Sequence, residues 1–300
     1  MTRSLLRAFG ALTGIGAATL GYATLIERNW FTLRRFDVPV LAPGSAPLRV
    51  LHLSDLHITA DQRKKVEWVR ALASLEPDLV VSTGDNLAGI DAIPNVLRAH
   101  EPLLQFPGVF VWGNNDHHAP VPKSPLRYFI PDKTKKMRGP RIDLAPLAAG
   151  FESGGWVQLN NATGSLDVDG RKVYFGGVDD PHLKRDRYVK IAGPADASAD
   201  LRIGVLHSPE PRLLNQYVDD GYDLLLAGHT HGGQLRVPFY GAIVTNCGID
   251  RARARGLSTW TSPGGNVSPL HVSAGLGTSP YAPARFCCRP EATLLNLRPR

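Results

Sequence analysis

Short apolar runs alternate with amphipathic segments along most of the chain, and each apolar run ends in a polar turn. Apolar runs of this length, bounded by glycine-containing turns, are typical of buried strands. Such strands are predicted over RVLHLSDLH, DLVVSTGDN, GVFVWGNND, KVYFGGVDD, LRIGVLHSPE and LLLAGHTHGGQ. Helices are predicted over residues 63–75 and 96–104. Strands that alternate with helices predict an α/β domain with its site at the carboxyl ends of the strands.

The amino-terminal segment has a different pattern. Residues 8–26 form a run of 19 without charge, which Arg3 and Arg7 precede and Glu27 and Arg28 follow. This length just reaches the span of a bilayer core, so a membrane anchor, a cleaved signal peptide and a helix packed on the domain are all compatible with it. No small-x-small cleavage site stands out before Glu27, which argues against the signal peptide. We therefore expect an uncleaved anchor, whose orientation stays open because positive residues flank both ends.

A Pro- and Gly-rich stretch, VPVLAPGSAPL, covers residues 38–48 and predicts a linker between this segment and the remainder of the chain. The chain is thus predicted to divide into residues 1–46, an anchor and linker, and residues 47–300, one domain. Trp30 and Phe31 lie just beyond the apolar run. Aromatic residues in that place favour the interface between membrane and water.

Composition and charge are those of a basic globular protein, with 43% hydrophobic and 20% charged residues. The net charge of +7 at pH 7 favours anionic partners such as phosphate esters, nucleic acid or lipid head groups, without selecting among them. The three cysteines form no CxxC pair. A thiolate zinc site is therefore not expected, and the redox compartment stays open.

Part of the positive charge lies in an insert at residues 120–146, which interrupts the alternation of strands and helices. One interpretation is a solvated surface loop, and the other is a basic lid that meets a phosphate-bearing substrate or a membrane. Its stretch KTKKMRGPR contains Lys133, Lys135, Lys136, Arg138 and Arg141. A second basic run, RARAR at residues 251–255, predicts an exposed edge strand or loop rather than a nucleic-acid site.

Candidate metal ligands recur at the ends of five predicted strands. They are Asp55, His57, Asp85, Asn114, His207, His229 and His231. Oxygen and nitrogen donors without a thiolate suit divalent Mn, Fe, Zn or Co. Seven ligands are too many for one tetrahedral ion but match two ions that share a carboxylate. In an extended backbone residues i and i+2 face the same side, so the two histidines of GHTH can converge just beyond their strand.

Other catalytic motifs are absent from the sequence. It contains no GxxxxGK[ST], no HExxH and no GxSxG. The HEP that begins at His100 lacks the second histidine of a zinc protease motif. The strand-end constellation is therefore the feature that bears on function.

The blocks SDLH, GDN, GNND, LHSPE and GHTHGGQ resemble the five signature blocks of the calcineurin-like metallophosphoesterases. The tail GLGTSPYAPARFCCRPEATLL makes the chain most similar to the bacterial membrane-associated phosphodiesterase branch. The resemblance covers roughly residues 48–297. It implies an α/β fold, a four-layer αββα sandwich of two mixed β-sheets flanked by helices.

The resemblance also implies a cofactor of two divalent metal ions, of which Mn, Fe and Zn are the expected kinds. Two ions about 3.5–4 Å apart can activate a bridging water and clamp the phosphoryl oxygens during in-line attack. Asp85 would bridge the two ions. One ion would be held by Asp55, His57 and His231, and the other by Asn114, His207 and His229.

One block departs from the family's pattern. Where the family usually reads Gly-Asn-His-Asp or Gly-Asn-His-Glu, with a histidine that protonates the leaving group, this chain has Asn115 followed by Asp116. An asparagine donates hydrogen bonds but is no general acid near neutral pH. His117 and His118 follow at once and are candidates for the role from a shifted position. Otherwise they form a solvated pair and the leaving group departs unaided. The predicted catalytic residues are thus Asn115, Asp116, His117 and His118.

The function expected from these residues is a dinuclear metal phosphoesterase, specifically a phosphodiesterase. It would hydrolyse a phosphate or pyrophosphate ester, with a lipid-linked substrate near the membrane as one case, by in-line attack of a metal-bridging hydroxide. One alternative is a membrane-anchored metal- or phosphate-binding protein with little turnover, which Asn115 favours and the intact ligand set disfavours. A nuclease is the other, but no aromatic residues interleave the basic insert to stack on bases, so nucleic acid is not an expected partner.

Overall fold

The helices of the protein follow the amphipathic segments of the sequence. The computed structural model describes residues 2–122 and 138–300, so Lys133, Lys135 and Lys136 of the basic insert lie outside the described residues. In the described part the helices are α1 (Thr2–Gly21), α2 (Arg63–Ala71), α3 (Ile93–His100), α4 (Asn114–His117), α5 (Ala145–Ser153) and α6 (Pro211–Asp219). Short 3₁₀ turns, Leu72–Leu75 and Glu101–Leu103, continue α2 and α3. The two helices predicted from the sequence are confirmed.

The strands form two mixed sheets and a small hairpin. They are β1 (Thr32–Leu41), β2 (Leu48–Leu53), β3 (Leu79–Ser82), β4 (Gly108–Phe110), β5 (Val157–Gln158), β6 (Ala162–Val168), β7 (Arg171–Gly177), β8 (Leu201–Val205), β9 (Leu224–Ala227), β10 (Arg236–Val237), β11 (Gly241–Ala242), β12 (Gly256–Thr261), β13 (Val267–Val272) and β14 (Glu291–Pro299). The first sheet has the order β1-β14-β2-β3-β4-β5 and the second β12-β13-β9-β8-β7-β6, while β10 pairs with β11.

Alternating side chains along the strands of the first sheet pack into two different cores. Val50 of β2 faces the second sheet, whereas its neighbour Leu51 faces the helices α2, α3 and α5. The same alternation recurs on β3, where Val81 packs between the sheets and Val80 packs under the helices. Successive side chains of a strand point to opposite faces, so strands apolar at every position are covered on both sides.

The second sheet completes the layers in the same way. Leu224 and Leu226 of β9 lie in the core between the sheets, while Leu225 lies in a third core with Tyr217 of α6. Helices thus cover the outer face of each sheet, and the four-layer αββα fold is confirmed.

Parallel strands bring the predicted site residues to one edge. In the first sheet β2, β3, β4 and β5 run parallel, and in the second β7, β8, β9 and β13 do. The loops after β2, β3, β4, β8 and β9 carry the candidate ligands. The candidate ligands therefore lie together at the carboxyl ends of the strands, where the sequence predicts the site.

The stretch predicted as a linker begins inside a strand. Strand β1 pairs in parallel with β14 over nearly its whole length, and Val38 is completely buried. The linker prediction was therefore wrong for residues 38–41, because these apolar positions complete the core between the sheets. Phe31 packs on Trp68 with ring centroids 5.5 Å apart, whereas Trp30 is 46% exposed, so of this aromatic pair Trp30 is the exposed one. The division of the chain at residue 46 stays a prediction.

The amino-terminal helix is apolar and exposed. Residues Arg7–Asn29 form one helical segment that is long and apolar enough to cross a membrane by length and composition, a test that a signal sequence passes too. Phe9, Leu12, Ile15 and Leu20 are all more than 60% exposed. The described part of α1 therefore does not pack on the domain, which disfavours the third interpretation of this segment.

Candidate metal centre

Five of the seven candidate ligands have a left-handed backbone. They are Asp55, His57, Asp85, His229 and His231, with φ angles of 49°, 43°, 55°, 67° and 50°. The left-handed conformation raises the conformational energy of a residue with a Cβ by about 1–2 kcal/mol, and residues in this conformation cluster at functional sites. Together with Asn114, four of these five residues line a single cavity at the strand ends, and Asp55 lies buried beside it.

One group of potential ligands consists of Asp55, His57 and His231. The Nε2 atoms of the two imidazoles are 3.2 Å apart. Asp55 Oδ1 lies 3.4 Å from Nε2 of His231 and 3.9 Å from Nε2 of His57. This oxygen is buried and accepts no hydrogen bond. The three atoms are close enough together to hold one metal ion.

The other group surrounds His207. Nε2 of His207 lies 3.5 Å from Oδ2 of Asp85 and 3.2 Å from Nδ1 of His229. Asn114 lines the same cavity, and its Oδ1 is buried without a hydrogen-bond partner. Oδ2 of Asp85 is also 3.5 Å from Nε2 of His57. Asp85 therefore stands between the two groups of ligands.

The electrostatics of the site favour neutral imidazoles in most positions. Burial lowers the pKa of His57 and His229 well below the usual value, and it lowers the pKa of His231 as well. A neutral imidazole is the form that ligates a metal. Burial acts on His207 in the same direction and is the largest single effect, but the carboxylates of Asp85, Asp55 and Asp180 together outweigh it and hold the pKa of His207 well above its usual value.

Burial raises the pKa of Asp85, yet the opposing effects of His207, His57 and Asn115 are larger in sum and keep that pKa well below its usual value. Asp85 is therefore a carboxylate in the folded protein. A buried anion among histidines is the arrangement that a cation would complete.

Hydrogen bonds from the far side of each ring orient the ligands. Nδ1 of His207 is 2.7 Å from the carbonyl oxygen of Thr83, and Nδ1 of His231 is 3.1 Å from that of Gly277. In the neutral form of either ring, donation from Nδ1 leaves Nε2 with the lone pair that can ligate a metal. Asp55 is fixed in the same way, because its Oδ2 accepts from the hydroxyl of Ser54 and the backbone N–H of His229 at 2.6 and 2.9 Å.

A buried arginine that the sequence did not predict supports this side of the site. Nη2 of Arg285 donates to the carbonyl oxygens of Ala274, Gly275 and Gly277 at 2.8, 3.0 and 2.7 Å. The loop it holds lies directly against His57, since a Cβ on Gly277 would come within 2.6 Å of the Cβ of His57. The signal was the tail GLGTSPYAPARF, which carries both the glycines and the arginine.

Asn115 and Asp116, both predicted as catalytic, contact Asp85, and Asn115 also lines the cavity. Asn115 donates from its backbone and its side chain to the two oxygens of Asp85. Asp116 is completely buried and does not line the cavity. Its carboxylate accepts from the backbone N–H groups of Asp85, Asn86, Leu87 and Gly113. A direct catalytic role for Asp116 is thus not supported, because both of its oxygens brace the loop after β3.

His117 and His118 also lie away from the ligand cavity. Nε2 of His117 is 2.7 Å from Oδ1 of Asp179, whose other oxygen accepts from Nε of Arg185 at 2.8 Å. His117 lines a separate cavity beside Arg141. Nδ1 of His118 faces the carbonyl oxygen of Gly139 at 3.1 Å. The idea that either histidine replaces the missing acid from a shifted position is therefore not supported by their placement.

A histidine that the sequence did not predict is present at the mouth of the cavity. His182 is exposed, lines the cavity, and packs on His229 with ring centroids 4.9 Å apart. It follows β7 in the sequence GVDDPHLKR. The sequence predicted the strand KVYFGGVDD that precedes this histidine. His182 itself stands three residues beyond Asp179 and matches none of the five signature blocks.

Two mixed sheets with an aspartate- and histidine-lined cavity at their strand ends define a metal-dependent phosphoric ester hydrolase. A sequence profile of the calcineurin-like phosphoesterases matches residues 48–233, and the chain belongs to this family. The chain is 31% identical to the YpbG protein of Bacillus subtilis over 96% of its own length and 95% of the relative.

Further relatives carry functional names. The chain is 25% identical to Phosphodiesterase YaeI of Escherichia coli, over 96% of each chain. It is also 25% identical to UDP-2,3-diacylglucosamine pyrophosphatase LpxG of Chlamydia trachomatis, over 95% of this chain and 96% of the relative. Among solved structures, it is similar to a 5'-nucleotidase precursor from Thermus thermophilus, with a TM-score of 0.47 and 12% identity over 84% of this chain and 55% of that chain.

Proposed function

We propose that the protein hydrolyses phosphodiester or pyrophosphate bonds at a dinuclear metal centre bridged by Asp85. Asp55, His57 and His231 would hold one ion, and Asn114, His207 and His229 the other. The observation that carries this proposal is the position of Asp85, whose Oδ2 lies 3.5 Å from Nε2 of both His57 and His207. A single carboxylate oxygen is thus equally close to one imidazole of each group.

The residues present fit two cations. Oδ1 of Asp55 and Oδ1 of Asn114 are both buried without a hydrogen-bond partner. An unpaired buried oxygen is costly, and a metal ion would satisfy it. The Nε2 atoms of His57 and His231 lie 3.2 Å apart. Burial lowers the pKa of both rings and so favours the neutral form, which is the form that ligates a metal. An imidazole–carboxylate–amide donor set suits Mn, Fe or Zn.

When bound, two such ions supply a nucleophilic water and neutralise charge on the phosphoryl oxygens. The protein's own residues position the ligands that would hold these ions. Asn115 holds both oxygens of Asp85, and Arg285 holds the loop against His57. His182 stands at the mouth of the cavity, where a leaving group would depart.

The proposed substrate is a phosphate ester that is carried by a lipid or lies close to a membrane. Two observations support this. The segment Arg7–Asn29 is long and apolar enough for a membrane anchor. The functional names among the relatives are a phosphodiesterase and a pyrophosphatase of the lipid-bearing nucleotide UDP-2,3-diacylglucosamine. We propose that the helix anchors the enzyme and that the domain acts on esters at the bilayer surface.

Hydrolysis by the full-length protein in detergent tests the proposal. Metal-stripped protein would receive Mn, Zn or Fe, and the substrates would be bis(p-nitrophenyl) phosphate, p-nitrophenyl phosphate and a lipid-linked pyrophosphate. We expect no activity without metal and restoration at two equivalents of metal per chain, with the diester or the pyrophosphate preferred over the monoester. Metal binding without turnover on any substrate would instead favour the binding-protein alternative.

A further inference from the structure

An exposed apolar hairpin rises beside the metal centre. It is built by β10 and β11, and we call residues 235–243 the rim hairpin. Its exposed apolar residues are Leu235, Val237, Phe239, Tyr240 and Ile243, all more than 40% exposed, with Phe239 completely so. Single exposed apolar residues are ordinary on a protein surface, but five within nine residues of one hairpin are a concentration of the kind that interaction sites show.

Arginines accompany two exposed aromatic rings, one on the rim hairpin and one just beyond the amino-terminal helical segment. The guanidinium of Arg251 lies 4.6 Å from the ring centroid of Tyr240 and donates to its hydroxyl. The guanidinium of Arg289 lies 3.3 Å from the ring centroid of Trp30. Aromatic rings with adjacent arginines are the side chains that proteins place at the boundary of acyl chains and head groups.

The charge beside the rim hairpin is positive. A surface cavity next to Phe239 and Tyr240 is lined by Arg236, Arg251 and Arg255. Asp250 is the acid that lines it, and this carboxylate is paired with Arg253. Positive charge next to exposed apolar side chains is complementary to an anionic lipid surface.

Residues 286–288 contact both the rim hairpin and the end of the amino-terminal helical segment. The backbone of Phe286 accepts from Arg236 and donates to Gln234, at 2.9 and 3.1 Å, and its ring meets that of Tyr22 edge-on at 6.4 Å. The next residues, Cys287 and Cys288, donate their backbone N–H groups to the carboxylate of Glu27 at the end of the same helical segment. One short segment therefore connects the rim hairpin to the end of the proposed anchor.

The same hairpin borders the mouth of the metal centre. Gln234 precedes it and Asn246 follows it, and both line the cavity that holds the candidate ligands. The side chain of Gln234 also donates to the carbonyl oxygen of Ala282, another residue of the mouth. A membrane in contact with the hairpin would therefore also lie in front of the mouth of the cavity.

We propose that the rim hairpin is a second membrane contact, which inserts Phe239 and Tyr240 into a bilayer and places the surrounding arginines on anionic head groups. The inference rests on the proposed membrane anchor. It adds that the domain lies on the bilayer with its catalytic mouth at the level of the head groups. Its substrate would then be an ester whose phosphate sits at that level while its acyl chains stay in the membrane.

Fluorescence quenching tests the contact directly. Full-length F239W would be reconstituted into vesicles of phosphatidylcholine and phosphatidylglycerol, with or without bromine on the lipid acyl chains. The matched control is V189W, because Val189 is 82% exposed and belongs to a different element, the 3₁₀ turn Tyr188–Lys190. We expect the brominated lipids to quench the added emission of F239W and to leave that of V189W unchanged. Equal quenching of the two variants, or of neither, would overturn the proposal, including the case in which the hairpin binds a protein instead.

Activity provides a second test. The double variant F239S/Y240S should hydrolyse a vesicle-embedded ester about tenfold more slowly, because it loses most of the interfacial contact. Its rate on bis(p-nitrophenyl) phosphate should equal that of the wild type and of the control V189S. A loss on both substrates would mean that the hairpin shapes the site, and no loss on either would mean that it does not dock. Failure of the wild-type protein on the soluble ester would instead refute the proposed function.

The arginines are tested by lipid composition. R251Q should lose about fivefold of the preference for vesicles with phosphatidylglycerol over vesicles of phosphatidylcholine alone, since a basic side chain near an anionic surface contributes on that order. Lys190→Gln is the matched control, because Lys190 is exposed but far along the chain from the hairpin. An equal effect of the two substitutions would contradict a specific role for Arg251.

Discussion

Asn115 donates two hydrogen bonds to Asp85, from its backbone N to Oδ1 at 2.7 Å and from its side-chain Nδ2 to Oδ2 at 2.6 Å. The residue that stands where the family resemblance implies a histidine is therefore engaged with the carboxylate between the two ligand groups. An amide can do this without competing for a proton, since Nδ2 is only a donor. The departure from the family's pattern thus has a structural consequence: Asn115 holds both oxygens of the Asp85 carboxylate by hydrogen bonds.

Removing this side chain should weaken the metal centre. Asn115→Ala leaves Oδ2 of Asp85 without its closest donor, and loss of such an outer partner costs about 10–100-fold in metal affinity or activity. We expect metal content and hydrolysis to fall together while the circular dichroism spectrum is unchanged. The exposed Asn266 offers a control, since Asn266→Ala should change neither. Full metal content and rate in Asn115→Ala would show that these hydrogen bonds are dispensable.

Asp85→Asn should have a larger effect. The amide keeps the shape of the side chain but removes the negative charge that faces His57 and His207 at 3.5 Å. We expect the stoichiometry of bound metal to drop below two and hydrolysis to be lost, with the fold retained. Asp167→Asn, at an exposed position near the end of β6, is the matched control. Two bound ions and an unchanged rate in Asp85→Asn would refute the dinuclear assignment.

The fold could be predicted to a large extent because its periodicities are local. Apolar runs and glycine breaks located β2, β3, β4, β7, β8 and β9, and parallel strands then required their loops to meet at one edge. The edge strand β1 escaped prediction, since its partner β14 lies about 260 residues away along the chain and its Pro- and Gly-rich end resembled a linker. A long-range pairing of this kind leaves no local signal.

The site was predictable as a set of residues but not as a set of orientations. All seven candidate ligands lie at the strand ends, yet the placement of Asp116, His117 and His118 depends on the first turn after β4. That turn directs Asp116 to the backbone after β3 and His117 to Asp179. His182 enters from a loop after β7, which no periodicity connects to the metal centre.

A buried histidine outside the site should make stability depend on pH. His100 is completely buried against Phe151, and burial lowers its pKa to about 4 although its Nδ1 donates to the carbonyl oxygen of Val96. Between about pH 6.5 and 4 the unfolded chain binds a proton at this position that the native state does not, so stability falls as the pH is lowered through this window. The loss attributable to His100 approaches roughly 3 kcal/mol at the acid end.

His100→Leu should remove that part of the pH dependence. Urea unfolding of the wild type and the variant in detergent, between pH 7 and pH 4, gives the difference in free energy of unfolding at each pH. We expect the variant to be less stable near pH 7, where it lacks a hydrogen bond, and to gain on the wild type as the pH falls. A constant difference across the range would mean that His100 does not carry the effect.

The last prediction concerns which histidine serves the leaving group. A donor at the leaving oxygen contributes most when the leaving group is poor, and its removal then costs about 10²–10⁴-fold. His182 lines the mouth of the ligand cavity, whereas His117 is paired with Asp179 in a different one. We therefore expect His182→Ala to lose rate on alkyl esters and little on nitrophenyl esters, whose phenolate leaves unaided. His117→Ala and His118→Ala should affect both substrates alike and only slightly.

Asn115→His is the complementary test, because a gain confined to alkyl esters would show that the natural enzyme works without an acid at residue 115. If His182→Ala instead slowed both ester types equally, the ring would act by supporting His229, on which it packs.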